Sequence, residues 1–168
     1  KEKFTLNTTM NIASISKTTI GVSITHLAEK GLINLDEDVN NFIPFRIENP
    51  HSNQSIITLR NLMSHCSGII DRKEIYLSEY HYDQDSPTEL GYFLENYLSK
   101  NGEYYSNKNF SKQKSGEEFL YSNIGSSLAA YVVKIISGKP FNIFTKELIF
   151  DNIQMPSAYW FLSDKKKF

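Results

Sequence analysis

The sequence predicts a mainly α-helical fold. Apolar residues recur three and four positions apart in five segments, which is the spacing of one buried helix face. Glycine ends two of these segments, at Gly31 and Gly138, and a capping residue or proline begins others, at Thr58 and Pro140. Residues 4–12 alternate loosely between apolar and polar, which suits a short strand or an extended lead.

Composition limits the classes of protein that the chain can belong to. Its 168 residues are 40% apolar and 22% charged, which suits one globular domain. A net charge of −1 gives no electrostatic reason to expect nucleic acid or an anionic membrane as a partner. No apolar run is long enough to span a membrane, and the single cysteine, Cys66, excludes an internal disulfide. The chain starts at Lys1 without an initiator methionine, so we expect a piece of a longer protein.

The first helix is expected over residues 14–30, with Gly31 as its end. Residues 4–12 suit a short strand or an extended lead into that helix. The acidic residues 36–38 could coordinate a cation, but we favour a structural role in which they cap and charge a short helix before Pro44.

The second helix is expected over residues 59–65, with Thr58 as its N-cap and a turn at residues 66–68. Residues 45–57 before it form a predicted loop. His65 invites a catalytic interpretation, but a histidine near a helix C-terminus usually serves the helix dipole or a backbone hydrogen bond. The other histidines are scattered singly and give no metal-ligand spacing.

The second half of the chain predicts three further helices, over residues 90–98, 124–136 and 141–149. Residues 86–89 match a capping box with proline at the first helical position. Residues 103–118 are polar and without period, so we expect an exposed loop there. The tail from residue 154 onwards is expected to be irregular.

A serine and a lysine three residues apart, Ser14 and Lys17, begin the first predicted helix. One turn of helix would place the Lys17 side chain over the Ser14 hydroxyl, and the helix N-terminus favours negative charge on that oxygen. This pattern predicts a serine nucleophile with a lysine base. Two other pairs share the spacing but lack a helix: Ser111 with Lys114, and Ser163 with Lys166.

A polar cluster, Tyr121-Ser122-Asn123, begins another predicted helix. A phenol can accept and return a proton if a neighbouring ammonium such as that of Lys17 lowers its pKa. An asparagine can donate to a substrate carbonyl or brace the lysine. The same three residue types occur at residues 105–107, but no helix is predicted to follow that copy.

Four blocks of the sequence, taken together and in order, resemble the serine β-lactamase and penicillin-binding protein superfamily. The resemblance is strongest to its class C β-lactamase and D-alanyl-D-alanine carboxypeptidase-like branch. The blocks are residues 12–18, which contain Ser14 and Lys17, residues 31–39, residues 57–68, and residues 119–125, which contain Tyr121 and Asn123.

This resemblance implies an active-site serine hydrolase. Ser14 would attack a carbonyl, Lys17 and Tyr121 would manage its proton, and Asn123 would hold the substrate, a small molecule or a peptide. The acyl-enzyme would then be hydrolysed, with the backbone N–H of Ser14 and a second N–H from a sheet strand as the oxyanion hole. The resemblance implies no cofactor or metal. It does imply an extracytoplasmic location. The substrate could be a β-lactam, a D-amino-acid peptide or an ester.

One departure from the family pattern matters. The third family motif, a Lys-Thr-Gly or His-x-Gly triplet on a strand, is absent from the sequence. We therefore expect residues 1–168 to be a single partial domain, the helical region of an α+β β-lactamase/transpeptidase-like fold with an incomplete sheet. Turnover by this stretch alone should be weak or absent, and its sheet-facing helices should expose apolar surface that favours self-association.

Two alternatives remain open from the sequence. One is a catalytically silent relative that binds a peptide or a cell-wall fragment, although such a protein has no chemical need for Ser14, Lys17, Tyr121 and Asn123 together. The other is a helical structural or interaction protein in which these motifs arise by chance.

Overall fold

The computed structural model describes residues 3–5, 8–52 and 55–167, the last three by their backbone alone. Within these ranges the α-helices are α1 (Lys17–Glu29), α2 (Leu59–Met63), α3 (Lys73–Tyr76), α4 (Leu90–Leu98), α5 (Asn123–Ser137) and α6 (Phe141–Thr145). A π-helical turn, Lys146–Phe150, continues α6. Short 3₁₀ turns cover Ala13–Ser16, Val39–Asn41, Leu77–Glu79, Asn107–Asn109 and Leu162–Lys167. Strand pairing in the described residues is limited to two isolated bridges, so the mainly α expectation is confirmed.

Helix α5 is the centre of the fold, and α1, α2, α4 and α6 all contact it. The Ser122 side chain accepts a hydrogen bond from the Gly125 N–H and so caps the helix, and Gly138 ends it with a φ of 67°. This helix was predicted from its apolar period and its glycine stop, and both features are confirmed. The core around it is made of aliphatic and aromatic side chains that include Ile24, Leu27, Leu59, Leu62, Leu94, Tyr97, Leu128 and Val132.

Helix α1 begins three residues later than the sequence predicts. Ser14 lies in the preceding 3₁₀ turn, Ala13–Ser16, and Lys17 is the first α-helical residue. Polar side chains compete for the backbone here, because the Asn11 side chain accepts from the Ala13 N–H at 2.7 Å and the Ser16 hydroxyl donates to the Ala13 carbonyl at 2.7 Å. The predicted stop is confirmed, since Gly31 has a φ of 69°.

A short strand or an extended lead was predicted for residues 4–12. The strand does not form in their described part, which leads without regular structure into the 3₁₀ turn. Thr58 does cap α2, in a reciprocal capping box with Asn61, but the helix ends at Met63 rather than at residue 65. Asp38 caps the short 3₁₀ turn that follows it, which confirms the structural role predicted for the acidic stretch.

The capping box predicted at residues 86–89 is wrong, and α4 begins at Leu90. The Ser86 hydroxyl donates instead to Glu79 at 2.7 Å, and Glu89 becomes the N-cap by accepting from the Tyr92 N–H at 2.9 Å. A carboxylate in that position satisfies a free N–H of the first turn and also faces the positive end of the helix dipole.

The expectation of an exposed loop over residues 103–118 is also wrong in part. Asn109 is fully buried and Phe110 is 2% exposed. The Asn109 side-chain N–H groups donate to the Tyr97 carbonyl at 2.7 Å and the Tyr104 carbonyl at 3.0 Å, and Phe110 forms a β-bridge with Ile69. A polar residue can lie in the core when its hydrogen bonds are satisfied, and composition does not reveal this.

The C-terminal part packs onto α6 as well. Pro140 is the N-cap residue of this helix, which begins at Phe141 as predicted, and the Trp160 indole N–H donates to the Thr145 hydroxyl at 2.9 Å. The Trp160 ring also lies edge-on to Phe141, with 5.1 Å between the ring centroids. The tail was expected to be irregular but contains the 3₁₀ turn Leu162–Lys167, and it is held against the helical body through an aromatic side chain.

Candidate active site

Ser14 and Lys17 lie at the entrance to α1. Ala13, immediately before the serine, has a φ of 47°, a left-handed conformation that costs an alanine free energy. The 3₁₀ turn that follows leaves the Ser14 side chain exposed at the protein surface. Lys17 reaches back over one turn, and its Nζ donates to the Ser14 Oγ at 3.0 Å. The predicted stacking of lysine over serine is therefore present, although a 3₁₀ turn produces it.

The N-terminus of α5 supplies the other two predicted residues. The Tyr121 hydroxyl donates to the Ser14 Oγ at 2.8 Å, and the Asn123 Oδ1 accepts from the Lys17 Nζ at 2.8 Å. The structure thus brings Ser14, Lys17, Tyr121 and Asn123 into one hydrogen-bonded group. The two halves of this group are more than a hundred residues apart in sequence, and the packing of α1 against α5 joins them.

The electrostatics of the group favour proton transfer. The Lys17 ammonium, and after it the Ser14 hydroxyl, lower the pKa of Tyr121 from its usual value. The Lys17 Nζ also lies 5.1 Å from the centroid of the Tyr121 ring. A phenol with a lowered pKa loses its proton more easily, and the phenolate so formed lies within hydrogen-bond distance of the Ser14 Oγ, where it can take the proton of that hydroxyl.

The His65 ring packs against the ring of Tyr121. The two ring centroids are 4.3 Å apart with 32° between the ring planes, and the His65 Nδ1 accepts from the Ser122 N–H at 3.2 Å. Burial and then the Lys17 ammonium lower the pKa of His65, while the Asp71 carboxylate opposes them. The backbone hydrogen bond fits the structural role predicted for this histidine, and the ring contact adds support for Tyr121.

Asp71 belongs to the site, although no pattern in the sequence predicted it. Its carboxylate accepts four hydrogen bonds from the start of α5: from the Ser122 hydroxyl at 2.7 Å, the Asn123 N–H at 2.7 Å, the Asn123 Nδ2 at 2.9 Å and the Ile124 N–H at 3.1 Å. The only local hint is one acidic residue directly after the apolar pair Ile69-Ile70. No sequence spacing connects it to a helix fifty residues later.

The alternative motif copies lie elsewhere. Ser111 is 7% exposed and donates to the Glu118 carboxylate at 3.1 Å, while Ser106 caps the 3₁₀ turn Asn107–Asn109. The backbone N–H of Ser163 donates to the Asp85 carboxylate at 3.2 Å. None of these three serines takes part in the hydrogen-bonded group around Ser14 in the described part of the chain.

Two other features are absent from the described residues. They contain no group of three or more His, Cys, Asp or Glu side chains able to hold a metal ion. None of their helices combines the length and apolar character that crossing a membrane requires.

Comparison with proteins of known structure shows which fold this is. The chain is similar to an octameric penicillin-binding protein homologue from Pyrococcus abyssi, with 22% identity and a TM-score of 0.66 over 92% of this chain and 33% of that one. It is also similar to a β-lactamase/D-alanine carboxypeptidase from Yersinia pestis, with 22% identity and a TM-score of 0.63 over 86% and 38% of the two chains.

A D-amino acid amidase from Ochrobactrum anthropi SV3 gives 24% identity and a TM-score of 0.63 over 88% of this chain and 43% of that one. The chain therefore spans about a third to two fifths of the length of these solved structures, in their helical region.

Comparison of sequences identifies the family. No curated protein matches the chain. The model of the family described as Beta-lactamase, in contrast, matches residues 1–168. A match of this extent shows that the chain belongs to the β-lactamase family.

Proposed function

We propose that this chain carries the nucleophile half of a serine hydrolase site, which cleaves an amide or an ester through an acyl-enzyme on Ser14. The observation that carries the proposal is the Ser14 hydroxyl, which is hydrogen-bonded at the same time to Lys17 at 3.0 Å and to Tyr121 at 2.8 Å. A serine activated by adjacent basic groups is the usual form of such a nucleophile.

The first chemical step forms a bond from the Ser14 Oγ to the substrate carbonyl carbon. The hydroxyl proton passes to Tyr121 or Lys17, whichever is unprotonated, and the carbonyl π electrons move to the oxygen. Collapse of the tetrahedral intermediate expels the amine or alcohol, which takes up that proton. Water then attacks the acyl group in the same way and returns the free Ser14 hydroxyl.

Asn123 is proposed to have two contacts in this scheme. Its Oδ1 holds the Lys17 ammonium at 2.8 Å. One N–H of its Nδ2 donates to Asp71 at 2.9 Å, which leaves the second N–H for a substrate carbonyl. An amide or ester substrate offers such an acceptor next to the bond that is cleaved. The neighbours named as a D-amino acid amidase and a D-alanine carboxypeptidase act on bonds of this class.

Covalent labelling of the full-length protein tests this proposal. A fluorophosphonate or β-lactam probe should modify Ser14, as located by mass spectrometry of the digested protein. Ser14→Ala should abolish the adduct, and Lys17→Ala and Tyr121→Phe should each slow labelling by about 10²–10⁴-fold, the range for loss of general acid–base catalysis.

Ser78→Ala is the matched control, because Ser78 also lies in an exposed 3₁₀ turn, Leu77–Glu79, and its hydroxyl donates to the Ile75 carbonyl, outside the hydrogen-bonded group around Ser14. It should label at the wild-type rate. An adduct that persists in Ser14→Ala would assign the nucleophile elsewhere. A full-length protein that is never labelled, but binds a cell-wall peptide equally well as Ser14→Ala, would be a silent binding protein.

We further propose that residues 1–168 alone turn over substrate weakly or not at all. An oxyanion hole needs two donors, and in this family type the second comes from a sheet strand, whereas pairing in the described residues is limited to isolated bridges. The same labelling experiment on residues 1–168 should give a slower reaction than the full-length protein gives. Equal rates would contradict this proposal.

A further inference from the structure

The four hydrogen bonds that the Asp71 carboxylate accepts differ in what they hold in place. Three of them, from the Ser122 hydroxyl and the N–H groups of Asn123 and Ile124, secure the start of α5, where backbone N–H groups have no partner within the helix. The fourth is from the side-chain Nδ2 of Asn123, at 2.9 Å. Only this last contact reaches a side chain of the hydrogen-bonded group around Ser14.

The contact with Nδ2 determines which way the Asn123 amide faces. An amide has a donor nitrogen on one side and an acceptor oxygen on the other. With Nδ2 on the Asp71 carboxylate, Oδ1 faces the Lys17 ammonium at 2.8 Å. The reverse orientation would set a carbonyl oxygen against the carboxylate and an NH₂ group against the ammonium, so both contacts would become repulsive. The contacts with Asp71 and with Lys17 therefore favour the same orientation of the Asn123 amide.

The orientation of Asn123 in turn affects Lys17. The lysine amine is held from two sides, by Asn123 Oδ1 at 2.8 Å and by Ser14 Oγ at 3.0 Å. Since a lysine side chain has four flexible bonds, loss of one of these contacts would let the amine leave the serine in a large fraction of molecules.

We propose that Asp71 is a positioning residue for the hydrolase reaction, which it controls by fixing the Asn123 amide and, through that amide, the Lys17 amine beside Ser14. The inference rests on the proposed function of Ser14. It makes the chain Asp71–Asn123–Lys17–Ser14 a single unit in which each side chain orients the next, and it separates this role of Asp71 from its role in securing the helix start.

A double-mutant cycle in the full-length protein tests the proposal. Asp71→Asn keeps the shape of the side chain but replaces one acceptor oxygen with an NH₂ group. We expect it to slow labelling of Ser14 by a fluorophosphonate by about 10–100-fold, whereas in the Asn123→Ala background the same change should have an effect of about threefold or less, because the amide it acts through is gone.

The control variant is Asp36→Asn, since Asp36 also accepts two hydrogen bonds, from Arg60, but at the exposed surface away from this group. Its labelling rate should equal that of the wild type. An equal fold-loss from Asp71→Asn in both backgrounds would show that Asp71 only secures the helix, and would overturn the inference.

A crystal structure of full-length Asp71→Asn gives a second readout that does not depend on activity. We expect the contact between Lys17 Nζ and Asn123 Oδ1 to be broken, with the amide rotated. If the contact is retained at its present distance, the inference is wrong even if Ser14 reacts. If the wild-type protein is not labelled at Ser14, the proposed function fails, and the position of Lys17 in this variant still decides whether Asp71 positions it.

Discussion

At the scale of single residues, His65 is the group whose ionisation bears most directly on the site. Its neutral Nδ1 accepts from the Ser122 N–H, and its ring lies against Tyr121. The charged and titratable groups that face it are Lys17, Asp71 and Tyr121. A second proton on the ring would remove the acceptor for Ser122 and place a positive charge near the Lys17 ammonium.

The lowered pKa of His65 gives the pH dependence a definite sign. Burial and the Lys17 ammonium make the folded protein bind a proton at His65 less readily than the unfolded chain does. The contribution of this ring to stability is therefore complete above the unfolded pKa of about 6.5 and decreases as the pH falls through the folded pKa. When the pH is lowered from about 7.5 to about 5, we expect the melting temperature of the wild type to fall by more than that of His65→Asn.

His65→Asn is a suitable comparison because His65 has a φ of 56°, and asparagine is one of the residues that tolerate this left-handed conformation. Its side-chain oxygen can also accept from an N–H group. Melting curves of both proteins at the two pH values measure the difference. If the melting temperatures of the two proteins fall by the same amount on acidification, other groups dominate and the assignment to His65 is wrong.

At the scale of elements, the approach of α4 to α5 depends on a residue without a side chain. A methyl group added at Gly91 would lie 2.6–2.7 Å from the Tyr131 ring and hydroxyl. Tyr131 is 7% exposed and stacks on Phe45 with 6.1 Å between ring centroids, so its ring has little room to move. The packing against Tyr131 therefore requires glycine at position 91, although alanine has the higher intrinsic helix propensity.

Two matched glycine substitutions test this packing. Gly91→Ala gains about 1 kcal/mol of helix propensity but incurs an overpacking cost of about 1–3 kcal/mol, so we expect a net loss of about 1 kcal/mol. Gly21→Ala, in the interior of α1 with no atom within 4 Å of the added methyl group, should instead gain about 0.5–1 kcal/mol. Urea denaturation measures both. A stabilising Gly91→Ala would mean that Tyr131 can move aside.

Helix α5 and the contacts of Asp71 and Asn109 show what the sequence could and could not predict. The limits of α5 follow from Ser122 and Gly138, because a cap and a stop act on their immediate neighbours. The four hydrogen bonds of Asp71 and the burial of Asn109 were missed, because both depend on partners brought together by tertiary packing. Ser14 and Tyr121 were expected to meet only because motif and family resemblance linked two distant segments.

At the scale of the whole molecule, apolar side chains are exposed on both sides of a groove of about 590 Å³ that lies between the N-terminal lead and the C-terminal tail. Met10 is 65% exposed, Ile12 48% and Met155 49%, and all three line the groove. Neighbouring Ile15 is 65% exposed as well. An exposed apolar groove of this kind is uncommon on a monomeric protein and tends to be covered by another surface.

We therefore expect residues 1–168, prepared alone, to self-associate through this groove. The sedimentation coefficient should rise with protein concentration, because association removes apolar surface from water. Met10→Asp places a charge in the groove and should reduce the association at every concentration, since burying an unpaired carboxylate is costly. Tyr82→Asp is the control, because Tyr82 is 92% exposed and is not among the residues that line the groove. A single monomeric species throughout the concentration series, or equal effects of the two variants, would show that the groove is not the surface through which the copies meet.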